Sequence, residues 1–165
     1  MNSTRQASII GSFRKYYSDI KRIVLLFNQS GIKVLSPRMS FIINPNDDFV
    51  FLNSDNHKYD SIEIQLIALH RILRSDFVYV FTPNGYIGRT TCYEIGRVIE
   101  KAIPIYYNSR PKDLPIFIPE GSIIEPDELV LRIRETGRLP EINEDCDVFK
   151  YDLTKSLREG LYYDD

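Results

Sequence analysis

The chain of 165 residues has only two cysteines, Cys92 and Cys146. They make neither a disulfide framework nor a metal-spaced cluster, so both read as reduced thiols and no metal site is expected. No apolar run approaches the ~20 residues that span a bilayer, and Met1–Ala7 is polar, without the hydrophobic stretch of a secretory signal. An excess of one charge is missing too. With 21 basic and 23 acidic residues the formal net charge is −2, whereas proteins that coat nucleic acid usually announce themselves by a basic surplus. There is no Walker loop and no G-x-G-x-x-G fingerprint. These absences point to a cytoplasmic protein without a membrane or a nucleic-acid polymer as partner.

What remains is ordinary globular material, 43% apolar and 27% charged, in a length that suits one domain. The charge is unevenly placed. Residues 141–165 hold eight acids against Lys150, Lys155 and Arg158, a local net of −5, which leaves residues 1–140 at +3. The expected organisation is an α/β domain over 1–140 and an acidic, aromatic tail over 141–165. A solvated terminus is the bland reading of the tail.

Hydrophobic periodicity supplies the elements. Ala7–Ile10 reads as a short strand stopped by Gly11-Ser12, followed by a helix with Tyr16, Ile20, Ile23, Val24 and Phe27 on one face, and a second strand at Ile32–Leu35. Strand, helix, strand implies a right-handed crossover and a parallel sheet. Ser40–Ile43 and Phe49–Leu52 look extended around an Asn-Pro-Asn-Asp turn, either as a hairpin or as a loop over the sheet edge. A helix with Ile62, Leu66, Leu69 and Leu73 on one face leads to Phe77–Phe81, the strongest strand signal, apolar throughout as a central parallel strand should be. Another helix presents Ile95, Val98, Ile99 and Ala102. Ile103–Tyr106 is the next strand and Pro115–Ile118 a candidate for one more, and Pro126 and Gly137 bracket a last helix. The fold class is α/β, a three-layer, doubly wound parallel sheet of the Rossmann or flavodoxin kind in a single domain.

Ligands of such sheets bind beyond the carboxyl ends of the strands. Three segments fall there: Gly11-Ser12-Phe13-Arg14, Ser36-Pro37-Arg38, and Thr82 to Thr91. Gly-Ser before a helix can hold an anion on its backbone N–H groups, with Arg14 adding charge; equally, Ser12 can be a plain helix N-cap. In the third segment Gly85 and Gly88 permit positive φ or close backbone approach to a ligand, and Tyr86 offers a stacking ring. Thr90 and Thr91 lead into a helix carrying Glu94 one turn from its start. Glu94 has two readings on spacing alone. Thr91-Cys92-Tyr93-Glu94 matches a capping box, with the carboxylate turned onto the Thr91 N–H. Otherwise it faces the strand ends as a nucleophile for an electrophilic sugar carbon.

Taken together, Gly11-Ser12-Phe13-Arg14, Ser75-Asp76 and Gly85-Tyr86-Ile87-Gly88 with Tyr93-Glu94-Ile95-Gly96 resemble the nucleoside 2-deoxyribosyltransferase-like superfamily, which includes deoxynucleoside 5′-monophosphate N-glycosidases. The resemblance spans roughly residues 7–107. It implies cleavage or transfer at the N-glycosidic bond of a nucleoside or nucleotide, with Glu94 as the nucleophile and no cofactor. It implies a phosphate role for Ser12 and Arg14, and assembly as a homodimer or larger homo-oligomer. The substrate-binding set would be Gly11, Ser12, Phe13, Arg14, Ser36, Pro37, His70, Asp76, Gly85, Tyr86, Gly88, Thr90 and Thr91. Members commonly carry an aspartate eight residues before the Asp76 position, where this chain has Ala68; His70 lies nearby. The transferases carry an acid six residues before the nucleophile, where this chain has Gly88. The alternative is a nucleotide-binding sensor or regulatory module without turnover.

Overall fold

In the computed structural model, β1 (Gln6–Gly11) alternates its side chains between two layers, because successive residues of a strand point to opposite faces. Ala7 and Ile9 join Phe77 and Tyr79 on one face of the sheet, while Ile10 joins Val78 and Val80 on the other. Residues 4–38, 40–47, 50–56, 58–112 and 114–142 are described here. The acidic tail from 143 onward, with Cys146, lies outside them.

β1 is followed by α1 (Phe13–Gln29), β2 (Lys33–Ser36), α2 (Ser61–Ile72), β3 (Phe77–Phe81), α3 (Arg89–Glu100), β4 (Ile105–Tyr107) and α4 (Pro126–Thr136). The four strands pair in parallel in the order β2-β1-β3-β4. This is the doubly wound arrangement of flavodoxin-like sheets through its fourth strand. Ile20, Ile23, Val24 and Phe27 of α1 and Leu129, Val130 and Ile133 of α4 cover one face. Ile72 of α2 and Ile95 and Val98 of α3 cover the other. Each face therefore buries the apolar stripe of two helices against a strand layer, and burying one such side chain contributes about 1.5–3 kcal/mol.

The ends of α4 are as its sequence dictates, with Pro126 in the first turn and Gly137 left-handed at φ +69° after the last. Leu139 and Ile142 pack onto the first cluster, and Tyr106 Oη donates to the Pro140 carbonyl at 2.7 Å, which ties the segment after α4 to β4.

Two expectations need correction. Ile62 and Leu66 of α2 are exposed; of the expected face Leu69 is buried, joined by Ile64 and Ile72. Ser61–Ile72 carries apolar residues on more than one stripe, so periodicity alone did not select the covered face. Pro115–Ile118 forms no strand; Ile118 simply fills the second cluster, and it is Ile123 that makes a single parallel bridge to Tyr107. Of the two alternatives for the segment around residues 40–52, the described residues form the hairpin, with an antiparallel bridge between Ile42 and Leu52, flanked by Ile43 N–H to the Phe51 carbonyl at 3.0 Å and Asn53 N–H to the Phe41 carbonyl at 2.9 Å. Among the described residues, no helix is long and apolar enough to cross a membrane.

Candidate functional site

The chain leaves β1 toward β2 on one side, and β3 pairs on the other side of β1. Such a switch point opens a crevice at the carboxyl ends of the two strands. Gly11, the last residue of β1, is in register with Phe81, the last of β3. A Cβ on Gly11 would stand 2.9 Å from the Phe81 carbonyl oxygen and 3.2 Å from Ile20 Cδ1, so the close approach of the two strands here needs glycine.

A cavity of about 650 Å³ lies over this end of the sheet, within the range of small-molecule sites. Gly11, Ser12, Phe13 and Arg14 line it where α1 begins, and Ser36 and Pro37 line it where β2 ends. From the start of α3 come Gly88, Arg89, Thr90, Thr91 and Glu94, with Tyr86 just before. Ser12 occupies the N-cap position of α1 but makes no side-chain cap bond. The Tyr86 ring is held by Lys15, whose Nζ sits 3.7 Å from its centroid, and by an edge contact with Tyr16. It forms a braced wall of the site.

Glu94 decides between its two readings by its partner. Helix α3 begins at Arg89 with Gly88 as N-cap, so Thr91 is already inside the first turn. The Glu94 carboxylate accepts a hydrogen bond from Gln65 Nε2 at 2.8 Å. That bond crosses from α3 to α2 and has nothing to do with a cap. Glu94 is 6% exposed. Burial pushes its carboxyl up to about 7, with the Gln65 donor opposing by favouring the ionised form. A carboxyl there is part acid and part carboxylate near neutrality, as proton transfer and nucleophilic attack on sugars require.

Gln65 had no motif to mark it; only the packing of α2 beside α3 brings it to Glu94. Replacing Gln65 with leucine should move the acid limb of any Glu94-dependent rate upward by about one to two pH units, since a hydrogen bond to a charged group is worth about 1.5–3 kcal/mol. A pH profile of kcat/KM reads this directly; an unmoved limb would separate Gln65 from Glu94 ionisation.

Arg38 follows β2 in the Ser36-Pro37-Arg38 segment expected at a strand end, and it does line the cavity. Other wall residues escaped the sequence motifs: Arg71 comes from α2, and Ser54, Asp55 and Asn56 come from the loop after the small hairpin. The cavity wall thus carries four arginines (Arg14, Arg38, Arg71 and Arg89) against two carboxyls, Asp55 and Glu94. Burial, then the nearby Arg38 charge, hold the Arg71 guanidinium below the usual arginine range, with Asp55 opposing. Among the described residues no ion pair involves Arg38, Arg71 or Arg89. The surplus is positive and suits an anionic ligand. No three His, Cys, Asp or Glu side chains gather to hold a metal ion among the described residues.

Three of the expected binding residues lie elsewhere. His70 is exposed on the last turn of α2 and is not on the cavity wall. Asp76 precedes β3, at the opposite end of the sheet from the cavity, where its Oδ2 accepts the Gln6 N–H at 2.7 Å and its own N–H donates to the Gln6 carbonyl at 2.8 Å. It staples the start of β1 to β3. Asp76→Ala should therefore cost about 1 kcal/mol in urea unfolding. Gly85 has the expected positive φ of +78°, yet what approaches it is the chain's own 110–112 segment, not the cavity.

No family model matches the chain, and no curated protein matches it. Among solved structures, it is similar to a conserved protein from Enterococcus faecalis V583, at a TM-score of 0.46 and 14% identity, over 96% of this chain and 98% of that one. A likeness at this level carries no argument about function.

Proposed function

We propose that the protein cleaves or transfers the N-glycosidic bond of a nucleoside or nucleoside 5′-monophosphate, with Glu94 as nucleophile. The observation that supports this reading best is the Glu94 carboxyl itself: buried, bonded across to Gln65, on the wall of a cavity with a surplus of arginines. In the proposed reaction a Glu94 oxygen bonds to the anomeric carbon as the carbon–nitrogen bond breaks. The bonding pair leaves with the base, which takes up a proton. Water or a second base then displaces the ester and regenerates the carboxylate. The α1 N-terminus at Gly11–Phe13, with Arg14, would hold the 5′-phosphate through backbone N–H groups and charge. Tyr86 would offer its ring to the base.

The test is release of free base, followed by chromatography, from a panel of nucleosides and nucleoside monophosphates, with an acceptor base added in a second series. Turnover supports the reading; tight binding without release from any member overturns it in favour of a second one, a nucleotide-binding regulator. That second reading has its own observation. Ala68 lies on the cavity wall at the position where the resembled enzymes carry an aspartate, so no acid stands there.

A further inference from the structure

Two of the four cavity arginines reach it from a different direction than the phosphate-binding turn. Arg14 belongs to α1, which covers the face of the sheet that contains Ile9 and Tyr79. Arg71 belongs to α2, whose Ile72 packs on the opposite face with Ile10 and Val78. Along α2, Arg71 is six residues beyond Gln65, which corresponds to about 9 Å of helix. Arg38 enters from the loop after β2, at the edge of the sheet.

Arg38 and Arg71 line the same cavity and their like charges oppose each other; the acid that offsets them in part is Asp55. Its Oδ2 already accepts the Leu52 N–H at 2.8 Å. Keeping two guanidinium groups of one sign on a common wall is unfavourable unless an anion offsets it, and guanidinium pairs favour the planar, multidentate geometry of phosphate oxygens.

We propose that Arg38 and Arg71 form a second anion subsite of the cavity, which takes a phosphate separate from the one at the α1 N-terminus. The inference rests on the nucleotide reading above and narrows it: the preferred ligand is a nucleotide bearing two phosphates, either in a chain at the 5′ position or one on each side of the sugar.

Titration calorimetry with adenosine 5′-monophosphate, adenosine 5′-diphosphate and adenosine 3′,5′-bisphosphate tests it, using the Glu94→Gln protein so that turnover does not consume the ligand. One of the two-phosphate compounds should bind at least tenfold tighter than the monophosphate, and which one does so locates the second phosphate. In Arg38→Ala/Arg71→Ala that ratio should fall to about one. In Arg14→Ala both affinities should weaken together and the ratio should survive. Arg71→Lys, which keeps the charge, should retain part of the ratio and guards against a folding defect. Equal affinity for all three ligands in the parent protein would overturn the subsite, as would an unchanged ratio in the double variant. If none of the three binds, the nucleotide reading fails with it; if all bind with the expected ratio yet no base is released by unsubstituted protein, only the glycosidic chemistry fails.

Discussion

On the proposed glycosidic reaction, Glu94→Gln is expected to abolish base release, by roughly a thousandfold or more, and at the same time to stabilise the protein at alkaline pH. Loss of a nucleophile that forms a covalent intermediate removes the whole reaction path, so the loss appears in kcat as well as kcat/KM. The stability effect follows from the carboxyl's burial. In the folded chain it holds its proton up to about 7, against an ordinary 4.5 in the open. Between those pH values the folded state binds the extra proton, so stability falls as pH rises through this window. By pH 8 ionisation in the buried site has removed up to about 3 kcal/mol. Glutamine keeps the shape and an oxygen for Gln65, and it never ionises. At pH 8 the variant should melt about 6–12 °C above the parent, whereas at pH 4 the two should melt together. Thermal unfolding at both pH values, beside a base-release assay, measures the pair of effects. A variant that retains turnover would remove Glu94 from the chemistry. Equal melting at pH 8 would show that the carboxyl is not desolvated as described. A site destabilised in the form it needs for attack is a common arrangement where activity and stability compete.

Gly85→Ala should be the more damaging of the glycine substitutions in the Gly85–Gly88 loop, with a loss of about 2–4 kcal/mol in urea unfolding. Two effects add. At φ +78° an alanine Cβ is strained, and that Cβ would stand 2.7 Å from the Arg110 carbonyl oxygen. Lys112 Cγ, at 2.6 Å, can swing aside, but the carbonyl cannot. Its segment is tied to the end of β3 by Thr82 N–H to Asn108 Oδ1 at 2.6 Å, Thr82 Oγ1 to the Ser109 carbonyl at 2.6 Å, and Ser109 Oγ to the Thr82 carbonyl. Lys112 N–H closes the contact on the Gly85 carbonyl at 3.1 Å. Gly88→Ala is the control. Nothing lies within 4 Å of a Cβ there and φ is −85°, so the change should stay under about 1 kcal/mol. Equal losses in the two variants would contradict the packing of the 108–112 segment described above.

These glycines also show how far sequence alone reaches. That Gly85 needs a left-handed backbone is legible from a turn-rich stretch after an apolar strand. What crowds it is not, because Arg110 and Lys112 arrive from beyond the next strand. The strands at Ala7–Ile10 and Phe77–Phe81, the helices after them and the α4 brackets were legible because each announces itself by local period or punctuation. The covered face of α2 was not, since its apolar residues lie on more than one stripe and only the neighbours decide which is buried. Ser12 and Glu94 illustrate the same limit at the site: both fit local capping patterns, and neither makes a cap bond.

The amino-acid sequence by itself determined the parallel α/β arrangement, the placement of Gly11–Arg14 and the Gly85–Glu94 segment at strand ends, and the absence of a disulfide framework or a bilayer-spanning run. Those features follow from near neighbours along the chain and from composition. Tertiary structure alone decided that Glu94 faces Gln65 in a cavity, that Arg71 joins it from a different helix, and that His70 and Asp76 stay away. The physical reason is one of range. Desolvation and charge coupling depend on groups that are close in space yet separated by a strand or a whole helix in sequence, and no local pattern records that separation.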